Sequence, residues 1–113
     1  MNICVVGTGY VGLVSGAVFA DLGNRVICVD ENEEKVAALC EGRVPIYEPG
    51  LEVIVQKNLN NRRLSFTSKL AEGVERSEIV FVCVGTPPGD DGKLDLSMLE
   101  RAAEEIAGHI DGY

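Results

Sequence analysis

The segment Asn2-Ile3-Cys4-Val5-Val6-Gly7-Thr8-Gly9-Tyr10-Val11-Gly12 sets the frame for the whole chain. Asn2 to Val6 is short, rich in β-formers and apolar on both faces. A central strand of a parallel sheet reads this way, because helices cover both its sides. Gly7 to Gly12 is a glycine-rich turn. From Tyr10 the apolar period lengthens to that of a helix: Val11, Val14, Val18 and Leu22 recur with Ala17 beside them, and Gly23-Asn24 supplies a stop. Arg25 to Val29 is a second apolar strand, and it ends at Asp30.

The pattern continues outward from that unit. Asn32 caps a second helix, with Glu33 and Glu34 in its first turn where the dipole favours anions. Val36, Leu39 and Cys40 are its expected inner stripe, and Gly42 closes it. A loop with Pro45 and Pro49 follows. Pro49 is expected in the first turn of a short helix whose apolar face is Leu51, Ile54 and Val55. Leu64 to Thr67 alternates apolar and polar residues, as a more exposed strand does. Ser68 to Ser77 reads as a short helix and turn. Ile79 to Val84 is an uninterrupted apolar strand that runs into Gly85-Thr86-Pro87-Pro88. Ser97 and Glu100 have capping-box spacing and open a last helix, with Leu99, Ala102, Ala103, Ile106 and Ile110 on one face. Strands alternating with helices imply a parallel sheet with right-handed crossovers. The expected class is α/β, a Rossmann-type doubly wound sheet in the order 3-2-1-4.

Composition bounds the function. The 113 residues contain 10 Lys and Arg against 18 Asp and Glu, a formal net charge of −8. That balance argues against nucleic acid and against an anionic membrane surface, which both select basic faces. No apolar run approaches the roughly 20 residues of a spanning helix. Met1-Asn2 lacks a basic leader, so a cytoplasmic location is expected. The cysteines Cys4, Cys28, Cys40 and Cys83 form no CxxC, and His109 is the single histidine, so a metal site has little support. Three of the four thiols sit inside apolar runs and are expected to be reduced and buried. Level strand ends at Gly7, Asp30 and Gly85 would separate Cys28 and Cys83 by two strand spacings, roughly 9.5 Å, which is too far for a disulfide. His109 reads as a cation near a helix end and Glu100 to Glu105 as a solvated acidic face.

The turn Gly7-Thr8-Gly9-Tyr10-Val11-Gly12 is a GxGxxG between a strand and a helix, in a βαβ unit that ends on an acidic residue about 20 positions further on. Each glycine has a job in holding a dinucleotide. Gly7 permits the tight turn, Gly9 lets backbone approach a pyrophosphate, and Gly12 lets helix pack on strand. The first helical turn offers unpaired N–H groups, including that of Val11. Asp30 accepts from adenosine ribose hydroxyls and repels a further phosphate there, so NAD is expected over NADP. Lys35, one turn into the next helix, reaches the same ribose. Thr86 and Pro87 follow the fourth strand, beside the crevice where strand order reverses, near the central riboses. Tyr10 faces either cofactor or packing neighbours. The candidate cofactor residues are thus Gly7, Gly9, Tyr10, Val11, Gly12, Asp30, Lys35, Thr86 and Pro87.

Four segments together resemble the start of the UDP-glucose/GDP-mannose dehydrogenase family: Asn2 to Val14, Val29-Asp30, Pro45-Ile46-Tyr47-Glu48-Pro49-Gly50-Leu51, and Val82-Cys83-Val84-Gly85-Thr86-Pro87. The Pro45 to Leu51 segment discriminates best, because generic dinucleotide folds lack it. The resemblance covers essentially the whole chain. It implies oxidation of the C6 alcohol of a UDP-sugar to the carboxylate, with two NAD reduced. It also implies a nucleophilic cysteine in a later domain, so no residue of this chain is assigned a catalytic role. Residues 1–113 are then expected to form an incomplete NAD-binding domain, without the substrate domain and without turnover of their own. The fourth strand would stand at an apolar edge and promote self-association. Two other readings remain open at this point. One is a nucleotide-sensing module that binds NAD or ATP without catalysis. The other is a dehydrogenase of hydroxy acids or acyl substrates, which gives no reason for the Pro45 to Leu51 segment.

Overall fold

The structure, a computed structural model, describes residues 1–84 and 96–109. Its strands are β1 (Asn2–Val6), β2 (Arg25–Val29), β3 (Leu64–Thr67) and β4 (Ile79–Val82). All pair in parallel, in the order β3-β2-β1-β4. The helices are α1 (Tyr10–Asp21), α2 (Glu33–Cys40), α3 (Leu51–Asn60), α4 (Leu70–Glu75) and α5 (Ser97–His109). This is the expected α/β class and strand order. The reversal of direction after β3 places the crossovers on opposite faces of the sheet. Leu13, Leu39 and Val55 of α1, α2 and α3 pack on Ile3, Val5, Val26 and Cys28. Val74 of α4 and Ile106 of α5 pack on Cys4, Val6 and Val29 from the other side. Ile3 through Val6 are therefore all buried, as a strand covered on both faces requires.

Several local expectations are corrected. The buried face of α1 is Gly12, Leu13, Gly16, Ala17 and Ala20, whereas Val11, Val18 and Leu22 face outward. The helix is apolar on most of its circumference, so hydrophobicity alone does not select a face. Close approach to the sheet does: a Cβ on Gly16 would lie 2.7 Å from the Cys28 sulfur. Cys40 is exposed rather than part of the α2 stripe, although its thiol lies 3.6 Å from the Phe66 carbonyl oxygen. Pro49 precedes α3 instead of sitting in its first turn. Gly50 is the N-cap, at φ +82°, a left-handed conformation that glycine adopts without strain. On α5, Ala103 is exposed while Ile106 is buried.

β4 is shorter than its apolar run. It ends at Val82, and one further bond, from Cys83 N–H to the Val6 carbonyl at 2.7 Å, carries the ladder past it. Val6 is level with both Val29 and Val82. Cys83 thus stands level with Gly7, where Gly85 was expected. Cys28 lies level with Val5 and Phe81, two steps back along β4, so the two thiols are offset along the strands as well as across them. All four cysteines are free.

Candidate functional site

The carboxyl ends of β1, β2 and β4 open into a cavity of about 730 Å³. Gly7, Gly9, Tyr10, Val11, Asp30 and Lys35 line it. Gly12 does not; it lies behind the turn, where a Cβ would overlap the Gly7 carbonyl oxygen. Thr86 and Pro87 lie outside the described residues.

Gly7 has φ +101°, and a Cβ there would stand 2.7 Å from the Cys83 carbonyl oxygen. Both the dihedral and the contact require glycine. The Gly7 N–H donates to the Val29 carbonyl at 2.7 Å, which ties the turn to β2. Gly9 is the N-cap of α1 and offers no side-chain cap. The first three helical N–H groups, of Tyr10, Val11 and Gly12, therefore have no partner within the helix. A Cβ on Gly9 would meet nothing within 4 Å, so this side of the turn is open to an approaching group. An open glycine side, N–H groups without a partner within the helix and the positive end of a helix together suit an anionic pyrophosphate.

Asp30 directly follows β2 and is bonded to that turn through Thr8. Its Oδ2 accepts from the Thr8 hydroxyl at 2.6 Å and from the Thr8 N–H at 3.1 Å. Its Oδ1 accepts from the Asn32 N–H at 3.0 Å. Lys35 Nζ lies 3.6 Å from Oδ2, and the Lys35 N–H donates to the capping Asn32 Oδ1 at 3.1 Å. Burial pushes the Asp30 carboxyl up. The hydrogen bonds from the Thr8 hydroxyl, the Asn32 N–H and the Thr8 N–H, with the charge of Lys35, outweigh it and hold the group below the usual carboxylate range.

Tyr10 is half exposed, and its hydroxyl donates to Glu48 Oε2 at 3.0 Å. That bond raises the tyrosine above its ordinary value. It also joins the glycine-rich turn to the Pro45 to Leu51 segment, a link that sequence reasoning did not anticipate. Thr8 was missed as well, because the GxGxxG pattern leaves its position unspecified. Arg101 and Glu105 of α5 line the same cavity, although their stretch reads as solvated surface and both are exposed.

Residues 1–113 match the UDP-glucose/GDP-mannose dehydrogenase family, NAD binding domain. The chain belongs to this family. It is 51% identical over 110 residues to the UDP-glucose 6-dehydrogenase of Pseudomonas aeruginosa, covering 97% of this chain and 24% of that protein. It is 47% identical over 112 residues to the UDP-glucose 6-dehydrogenase TuaD of Bacillus subtilis, covering 99% and 24%. Among solved structures, it superposes on a ternary complex of the GDP-mannose dehydrogenase of Pseudomonas aeruginosa with a TM-score of 0.95 and 39% identity, covering 97% of this chain and 25% of that one. For the UDP-glucose dehydrogenase of the archaeon Pyrobaculum islandicum the TM-score is 0.89 and the identity 44%, covering 92% and 24%. The chain thus spans about a quarter of the length of these family members. No helix among the described residues is long and apolar enough to cross a membrane.

Proposed function

We propose that this chain is the cofactor-holding part of an NAD-dependent UDP-sugar 6-dehydrogenase, and that residues 1–113 bind NAD without turning over a sugar substrate. The observation that carries the reading is the convergence of the open Gly9 turn, the first N–H groups of α1 and the Asp30–Lys35 pair on one cavity. In this reading Gly7 and Gly12 shape the turn, and Gly9 with the N–H groups of Tyr10 and Val11 receives the pyrophosphate. Asp30 and Lys35 hold the adenosine ribose, and Thr86 and Pro87 flank the central riboses. When bound, NAD accepts hydride from the sugar carbon being oxidised.

None of the four cysteines is assigned as nucleophile. Burial raises the Cys4 thiol to about 11 and pushes Cys28 and Cys83 upward too, and a nucleophile needs the thiolate. Cys40 is exposed, but it lies at the end of α2 and does not line the cavity. Four free thiols favour a reducing, cytoplasmic setting. The proposal extends to the edge of β4, whose partly exposed Ile79 and Phe81 favour self-association of the chain.

Calorimetric titration with NAD and NADP tests the reading. NAD should bind and NADP should bind much more weakly. Asp30→Ala should weaken NAD about tenfold, the loss expected for one hydrogen bond to a charged group. Equal affinity for the two cofactors, or an Asp30→Ala variant that binds NAD unchanged, overturns it.

A further inference from the structure

Thr8 is 1% exposed, yet its side chain points at the cofactor-facing carboxylate instead of into the apolar core. Its O–H and N–H both end on Asp30 Oδ2, at 2.6 and 3.1 Å. The shorter distance is typical of a hydroxyl bonded to an ionised oxygen. A carboxylate has about four lone-pair positions. Thr8 takes two on Oδ2, and the Asn32 N–H, at 3.0 Å, takes one on Oδ1. The position left over is on Oδ1.

We infer that Thr8 is a positioning residue for cofactor selection: its two-point hold on Oδ2 locks the Asp30 carboxylate so that Oδ1 receives the ribose hydroxyl. The inference rests on the reading of this cavity as an NAD site. It also explains how NADP is rejected. To admit a phosphate beside Asp30, the carboxylate must either swing aside or take a proton. Swinging aside leaves the buried Thr8 hydroxyl and N–H without their acceptor, and such groups are costly to leave unmatched. Protonation weakens the same acceptor. Thr8 opposes both escapes, so discrimination depends on the pair and not on Asp30 alone. Lys35 Nζ, 3.6 Å from Oδ2, adds charge at a longer distance than either Thr8 bond.

The test compares Thr8→Val, which removes the hydroxyl at nearly constant volume, with Thr8→Ser, which keeps it. Two readouts are needed. In the ligand-free chain, carbon NMR of the Asp30 carboxyl should titrate at a higher pH in Thr8→Val than in wild type, and Thr8→Ser should return it. In calorimetry, Thr8→Val should weaken NAD by about tenfold and narrow the gap between NAD and NADP, again with rescue by serine. Circular dichroism checks folding, and Thr8→Ala carries the same expectations if the valine variant does not fold. An unchanged Asp30 titration and unchanged cofactor discrimination in the hydroxyl-free variants overturn the inference. So does an equal loss in Thr8→Ser, which would make Thr8 a packing residue. If wild type binds no NAD, the cavity reading fails and with it the role in selection, while the NMR titration still decides whether Thr8 holds Asp30.

Discussion

Asp30 combines partial burial with a full set of donors, and the two effects oppose each other. Burial alone would favour its neutral form, but the hydrogen bonds from Thr8 and Asn32 and the charge of Lys35 reverse the outcome and lower its pKa. A carboxyl lowered in the folded state binds fewer protons than in the unfolded chain. It therefore contributes stability above the unfolded value of about 3.9, and loses that contribution as pH falls through the folded value. Urea unfolding of wild type and Asp30→Asn across this range checks the sign. Wild type should be the more stable near neutrality, and the difference should shrink on acidification below about pH 4. A difference that grows on acidification would show that burial dominates. At this scale the sequence was only partly informative. Asp30 announces itself by its place after an apolar strand, because a charge there has one obvious use. Thr8 does not, because its neighbour in space is 22 positions away in the chain. Asn58 was equally hidden: it is fully buried on α3, where its side-chain amide N–H donates to Asp21 Oδ1 at 3.2 Å and the Ile54 carbonyl at 2.9 Å.

Among the elements, α1 shows most clearly where periodicity stops being a guide. Val11, Val14, Val18 and Leu22 follow helical spacing as well as Leu13, Ala17 and Ala20 do. The second set is the buried one, because small side chains let the helix descend onto β1 and β2. Leu13→Ala should cost about 2–5 kcal/mol in chemical denaturation, as truncation of a fully buried leucine does. Leu22→Ala, at a side chain 75% exposed, should change stability by less than about 0.5 kcal/mol. Equal effects would mean that the helix packs by the other face. The two ends of α2 are legible in the sequence, unlike the start of α3 and the end of β4. Asn32 caps α2 with its own side chain, accepting from the Lys35 N–H, and Gly42 follows its last turn with N–H donated to the Leu39 carbonyl at 2.9 Å. Caps are local chemistry, so they are visible locally.

For the molecule as a whole, the sheet order β3-β2-β1-β4 leaves β4 at one edge of the described sheet. On the face that α1 covers, it carries Ile79 and Phe81, each 38% exposed, with Phe81 stacked on Phe19 of α1 at 5.1 Å between ring centroids. An apolar edge with one row of unpaired backbone groups is a template for another strand. Light scattering coupled to size-exclusion chromatography should find species larger than a monomer at high concentration, and Phe81→Lys should shift them toward monomer. A monodisperse monomer at high concentration would count against the edge as an association surface.

The sequence by itself determined the order of strands and helices, the parallel class, the glycine-rich turn with its acid at the end of β2, and the family. These depend on residues close together in the chain: an apolar run, a period, a cap, a motif. Only the tertiary structure decided which face of α1 is buried, that Cys83 rather than Gly85 stands level with Gly7, and that Tyr10 meets Glu48. The clasp of Thr8 on Asp30 belongs with these. Each depends on the distance between elements or on strand register, and those are set by how side chains of particular size fit across the sheet.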